Sequence, residues 1–278
     1  MVIKTSDIKA VKTLFNKFNL PRSDSHKGQN GKVLIIGGSS LFHAASLWAA
    51  EVASHFSDMV HYSSTVENEK VFHDLKKIFR NGIIVPQNQL DHYVMEDDVI
   101  LVGPGMMRDG LEGKYTYELT KKLIEKFPGK RFVFDAGALQ MMDKRWLKNL
   151  KTKAIITPHR KEFESLFGLP AEKNNVEEMA KQFKTVIVLK TIVDIISDGE
   201  NTYTVEGGNA GLTKGGTGDV LGGLAASFYA KNSPLNSAVL ASVLLKTTAD
   251  SLFEDKGYWY NISDIINRLP EILKKVVL

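Results

Sequence analysis

Gly207–Leu224 reads GGNAGLTKGGTGDVLGGL, with six glycines among its first twelve residues and an apolar helical pattern directly behind them. Backbone without Cβ atoms lets N–H groups approach a ligand closely, and the first turn of a following helix adds unpaired donors and a partial positive charge. The stretch predicts an anion-binding loop feeding a helix, with phosphate as its guest. Asp219 falls in that first turn. A carboxylate there can act as a helix cap, for about 1 kcal/mol. A cap needs no run of glycines, however, and Gly216-Thr217-Gly218 supplies flexible donors and a hydroxyl beside a base. Neither GxxxxGK[ST] nor GxGxxG occurs, which disfavours a P-loop NTPase or a dinucleotide-type Rossmann site.

Working outward from the loop, Asp194–Ser197 and Thr202–Val205 flank the Asp198-Gly199 turn and read as a hairpin. Upstream, the short apolar runs Lys32–Ile36, Val60–Ser63, Gly82–Val85, Asp98–Val102, Arg131–Phe134, Ala154–Ile156 and Val186–Leu189 predict buried strands. Helical spacing is read over Ser6–Phe18, His43–Ser57, Lys114–Phe127, a segment through Phe163 and Phe167, and Val176–Phe183. Strands alternating with helices predict an α/β fold, a mainly parallel central sheet with helices on both faces, in a single domain over 1–278. Gly37-Gly38, Gly103-Pro-Gly105 and Thr157-Pro-His159 each follow a strand. Ligands in such sheets bind beyond the carboxyl ends of strands, so these turns are candidate walls of a site. Asp219–Ala230 and Pro234–Phe253 read as closely packed helices, and Pro270 is expected to break the C-terminal helical region into pieces.

Composition narrows the function. The formal charge of +4 arises from 36 basic and 32 acidic residues scattered along amphipathic segments, so nucleic acid is not expected as a partner. The absence of cysteine excludes disulfides, thiolate catalysis and Cys-ligated metal. It fits a reducing, cytoplasmic setting. No apolar run approaches a membrane span, and no membrane association is expected. His26, His43, His55, His61, His73 and His92 show no metal-ligand spacing, so no resident metal site is expected from them.

Taken together, Asp24-Ser-His-Lys-Gly28, Gly37-Gly38-Ser39, Val102-Gly-Pro-Gly105, Thr157-Pro-His-Arg-Lys-Glu-Phe163, Leu189-Lys190, Gly208-Asn209 and Lys214-Gly-Gly-Thr-Gly-Asp-Val-Leu221 resemble the ADP- or ATP-dependent NAD(P)H-hydrate dehydratases of the ribokinase-like superfamily. The resemblance runs from about Arg22 to Gly257. It implies nucleotide-dependent repair of the S epimer of hydrated NADH and NADPH, with Mg2+ as helper ion. The ring hydroxyl would be phosphorylated, Asp219 taking its proton, and phosphate then eliminated. By position the resemblance implies substrate contacts at Ala45, Gly105, His159 and Asp219. It puts nucleotide contacts at Lys190, Thr191, Ile192, Val193 and Asp194, with Gly218 and its loop neighbours Gly216 and Thr217. It further implies a separate epimerase as functional partner and allows a homo-oligomer. His159 has a second reading as a helix cap and Lys190 as a solvated strand-end residue. Departures from the family pattern are Asp135-Ala-Gly-Ala-Leu139 for DADAL, Ala44 for glycine, Thr191 for glycine and Phe56–Val60 for GAGLV. Two other functions stay open, a different ribokinase-like small-molecule kinase and a catalytically weak nucleotide-binding sensor.

Overall fold

In a computed structural model that describes residues 1–278, ten strands form one sheet in the order β1-β10-β9-β8-β7-β6-β5-β2-β3-β4. The strands are β1 (Val2–Lys4), β2 (Lys32–Ile36), β3 (Met59–Ser63), β4 (Ile83–Ile84), β5 (Val99–Val102), β6 (Arg131–Phe134), β7 (Ile155–Ile156), β8 (Val186–Leu189), β9 (Asp194–Ser197) and β10 (Thr202–Glu206). Pairing is parallel from β4 across to β8, antiparallel through the β8-β9-β10 meander, and parallel again where β1 joins β10. Continuous Val/Ile/Leu runs such as Val99–Val102 suit strands covered on both faces. Their side chains divide by pleat parity: Val33 and Ile35 enter one core, Leu34 and Ile36 the other.

The larger core lies under α1 (Ile8–Phe15), α2 (Ala44–Phe56), α9 (Thr217–Tyr229), α10 (Pro234–Lys256) and α11 (Ile262–Val277). The opposite core lies under α4 (Leu90–Glu96), α5 (Gly110–Lys126), α6 (Ala136–Met141), α7 (Arg160–Phe167) and α8 (Lys173–Phe183). Helix α3 (Val66–Leu75) adds Phe72 to the first core. Small residues set how closely the layer nearest the site packs. A Cβ on Gly223 would stand 2.8 Å from Ala49 O, so α9 meets α2 almost backbone to backbone. No helix is long and apolar enough to cross a membrane.

Two expectations are corrected. Pro270 does not divide the C-terminal region, because α11 runs through it unbroken. Proline there removes one intrahelical hydrogen bond, but Ile262, Ile265, Ile266, Leu269, Ile272 and Val276 hold a continuous apolar stripe on the core across the gap. Strand β1 lies ahead of the helix predicted over Ser6–Phe18, where the sequence predicts no strand. Three residues carry no readable period; their order comes from pairing with β10.

Candidate active site

The residues that follow β6, β7 and β8 gather at the N-terminus of α9. The helix begins after Gly216, whose φ of 105° and a Cβ position 2.6 Å from the Trp48 ring admit only glycine. Thr217, Gly218 and Asp219 form its first turn without a side-chain cap; Thr217 N donates to Lys214 O at 3.3 Å, leaving the N–H groups of Gly218 and Asp219. The Thr217 hydroxyl is itself buried without a hydrogen-bond partner. That set of donors is what an anion requires.

Against this turn stands a charge cluster. Lys190, just past β8, places Nζ 2.7 Å from Asp135 Oδ1 and 4.0 Å from Glu162 Oε2. Asp135, just past β6, accepts from Thr157 Oγ1 at 2.8 Å on the same Oδ1, leaving Oδ2 turned toward Gly218 and Gly222. Burial alone would lower the Lys190 pKa, but Asp135 and Glu162 more than offset it, so the ammonium stays charged. Burial and the neighbouring Asp135 carboxylate push the half-buried Asp219 carboxyl up from 3.8 to about 7, against the pull of Lys190. A carboxylate titrating there is suited to exchange a proton at neutral pH. Asp219 is the third helical residue rather than the cap, and it makes no capping hydrogen bond.

Two cavities open on either side of the turn. One, of about 460 Å³, is lined by Lys190, Thr191, Ile192, Asp194, Thr217 and Gly218 together with Asn209 and Lys246. The other, of about 360 Å³, is lined by Ala45, Gly105 and Asp219 together with Phe42, Met106, Arg108 and Gln140. Most residues of the two groups expected from the sequence thus fall into two chambers, Gly218 lining the first and its neighbour Asp219 the second. Gly216, Val193 and His159 lie outside both, and Asp194 lines the first with its carboxylate already committed. Gly216 faces Trp48 and Ile262 rather than a cavity. Asp194 has its carboxylate engaged by Thr191 N at 2.9 Å, Ser242 Oγ at 2.7 Å and Lys246 Nζ at 3.6 Å, so it braces the 191–193 loop. His159 caps α7, its Nδ1 accepting from Glu162 N at 3.1 Å while Glu162 Oε2 accepts from His159 N at 2.8 Å. It lines a shallow depression with Lys190, Ile192 and Val193, not the chamber of Ala45 and Gly105.

Residues outside the expected set are Asp135, Thr157, Glu162, Gln140 and Lys246. Asp135 had a faint signal as a carboxylate ending a strand before a glycine. Its real marker is Ala136 at φ 43°, a strained backbone that no sequence displays. The Asp24–Gly28 stretch lies away from the site, since Gly28 N and Asn30 N donate to Asp58 Oδ2, just ahead of β3.

The two loop glycines should respond differently to substitution. A Cβ on Gly218 meets Lys190 Nζ at 3.2 Å and Asp135 Oδ2 at 4.0 Å, in helical backbone. Gly218→Val should therefore weaken nucleotide binding at least about tenfold in calorimetric titration with little change in Tm, by displacing the ammonium and covering the donors. Gly216→Val should unfold the protein at lower temperature, at a cost on the order of 1–3 kcal/mol from backbone strain plus the clash with Trp48.

Comparisons with known proteins give the family and the fold. The sequence model of the NAD(P)H-hydrate dehydratase family matches residues 33–271. A bifunctional NAD(P)H-hydrate repair enzyme of Methanocaldococcus jannaschii is 37% identical over 91% of this chain and 50% of its own length. An ADP-dependent (S)-NAD(P)H-hydrate dehydratase of Cenarchaeum symbiosum is 30% identical over 91% of this chain and 92% of its own. The chain spans about half the length of the bifunctional relatives it matches. In fold, a ribokinase-like protein of Enterococcus faecalis superposes with a TM-score of 0.85 at 24% identity, covering 99% of this chain and 96% of that one. The ADP/ATP-dependent NAD(P)H-hydrate dehydratase of Bacillus subtilis, co-crystallised with ATP and Mg2+, superposes with 0.78 at 22% identity, covering 96% and 97%. With a family model spanning most of its length and a relative 37% identical over 91% of it, the chain belongs to the NAD(P)H-hydrate dehydratase family.

Proposed function

We infer that this chain catalyses the nucleotide-dependent dehydration of the S epimer of hydrated NADH and NADPH, with ADP or ATP as phosphoryl donor. The carrying observation is Asp219, titrating near 7 in the second chamber and next in the chain to Gly218, which lines the first, at the N-terminus of α9. The nucleotide occupies the chamber of Thr191 and Asn209, its terminal phosphate on the N–H groups of the α9 turn. The nicotinamide end of the hydrate occupies the chamber of Ala45 and Gly105. Asp219 removes the ring hydroxyl proton as that oxygen attacks the terminal phosphorus and the nucleotide's bridging P–O bond breaks. Lys190 and the helix N-terminus hold the charge that develops. The ring nitrogen's electron pair then expels phosphate, and loss of a ring proton restores the reduced nicotinamide.

The residues present suit a magnesium ion carried with the nucleotide. Asp135 Oδ2 faces the turn without a protein donor, whereas both Glu162 oxygens are already engaged by His159 N and Gln140 Nε2. A single carboxylate oxygen fits an ion that keeps phosphate oxygens and waters in its shell. Its chemistry is to neutralise charge on the transferring phosphoryl group. A cytoplasmic location and an epimerase as functional partner belong to the same reading.

Mixing the protein with NADHX and ADP or ATP and following NADH absorbance tests the proposal. Phosphorylated product without NADH would make it a different kinase, and nucleotide binding without turnover a sensor. His159 lies outside the chamber of Ala45 and Gly105, so the substrate contact expected of it is tested against its capping role. Its Nδ1 serves the cap while Nε2–H remains to donate. His159→Asn preserves a capping acceptor and removes that donor. From its place outside that chamber, wild-type kinetics with Tm unchanged are expected and leave His159 as a cap alone; a several-fold rise in the KM for NADHX would restore the substrate contact.

A further inference from the structure

Arg108 stands at the mouth of the chamber that holds Asp219. It is the one cationic side chain among that chamber's lining residues, and it is exposed. Its one hydrogen bond within the protein runs from Nη1 to Gln140 Oε1 at 3.0 Å, a neutral acceptor. Gln140 is fixed in turn by donating from Nε2 to Glu162 Oε1 at 2.9 Å, and Glu162 is 5% exposed. The guanidinium is thus oriented from behind by an amide anchored on a buried carboxylate, while most of its five donors stay free. A surface arginine that merely solubilises needs no such backing, and one that serves stability finds a carboxylate. Asp109 also lines the mouth, without a hydrogen bond to Arg108.

Chamber size indicates what Arg108 meets. At about 360 Å³ it lies near the small end of ligand pockets. Phe42, Met106 and Met107 make much of its wall apolar, which suits a nicotinamide ring lying with its hydroxyl toward Asp219. A whole dinucleotide does not fit inside. The linkage between its two halves must therefore pass the mouth, and that linkage is a diphosphate.

We propose that Arg108, oriented by Gln140, is the anchor for the diphosphate of the dinucleotide substrate. The assignment rests on the function proposed above and adds a substrate residue to it. Arginine's planar fork matches phosphate oxygens and is always charged. Because the diphosphate takes no part in bond breaking, its binding is equal in ground and transition states, so the anchor acts on KM rather than kcat.

The test compares Arg108→Ala and Arg108→Lys with wild type on two substrates, the hydrate of NADH and the hydrate of reduced nicotinamide riboside, which has no phosphate. Hydrogen bonds to a charged group of this kind correspond to roughly a ten- to hundredfold change in affinity. Arg108→Ala should raise KM for NADHX by that factor, with kcat moved far less and the KM for ADP or ATP unchanged. Arg108→Lys should fall between, and Gln140→Leu should raise KM for NADHX to a smaller extent. The riboside hydrate should show no difference between wild type and Arg108→Ala. An equal rise on both substrates, or no rise on NADHX, overturns the assignment. If the wild type turns over neither hydrate, the functional reading fails instead. Fluorescence titration with NADH then still decides the anchor: a Kd at least about tenfold weaker in Arg108→Ala supports it, and an equal Kd removes it.

Discussion

Asp219→Asn is expected to lower kcat for NADHX dehydration at least about a hundredfold while nucleotide binding persists, since loss of a positioned base costs about 10²–10⁴ in rate. Asparagine keeps the size and polarity of the side chain but cannot accept the hydroxyl proton. The wild-type pH profile should carry the same signature. Burial and the Asp135 carboxylate raise Asp219 to about 7, so the base form is depleted below that pH and kcat/KM should fall about tenfold per pH unit on the acid side. Stability runs the other way. The folded pKa lies above the unfolded value, so stability linked to this group is fully present below about pH 4 and is lost as pH rises to about 7. Asp219→Asn removes that loss. At pH 8 the variant should melt no lower than wild type, and higher by an amount on the order of a few kcal/mol if burial dominates as it does here. A variant that keeps wild-type turnover would end the role of Asp219 as base, and one that melts lower at pH 8 would end the account of its raised pKa.

Which parts of this site are legible in the sequence follows from where each signal originates. Gly207–Leu224 is readable because glycine's conformational freedom and the helical period are both local properties, and the predicted loop, helix and acid lie together there. The strands of the parallel sheet are readable for the same reason: Lys32–Ile36, Arg131–Phe134 and Val186–Leu189 are apolar runs whose ends match the prediction. Helices α3, α4 and α6 were not predicted, since six to ten residues with weak patterning depend on packing rather than on propensity. The charge cluster was out of reach for another reason. Asp135, Glu162 and Lys190 are separated by 27 and 28 residues in the chain and meet only when β6, β7 and β8 align. From spacing alone Lys190 reads equally as a ligand contact or as a solvated strand-end lysine; the 2.7 Å contact with a buried carboxylate removes the second reading.

The largest effect on the folded state is expected from Lys190→Met. Asp135 is 1% exposed and Glu162 5%, and the Lys190 ammonium is the cation shared by both. Glu162 keeps its donors from His159 N and Gln140 Nε2, whereas Asp135 retains only the Thr157 hydroxyl. Removing one partner of such a pair leaves an uncompensated buried charge and costs about 3–5 kcal/mol. Thermal denaturation should show Tm lowered by on the order of 10 °C for a protein of this size. Adding Asp135→Asn to Lys190→Met removes the stranded charge while keeping the acceptor for Thr157, so the double variant should recover most of the loss. The coupling between the two sites then exceeds the additivity expected of independent residues. Turnover should not recover, because both the ammonium beside the transferring phosphoryl group and the carboxylate facing the α9 turn are gone. A double variant as unstable as Lys190→Met alone would mean that Asp135 and Lys190 do not act as a pair. A double variant that regained turnover would take both out of the reaction and leave Asp219 and the helix N-terminus to carry it.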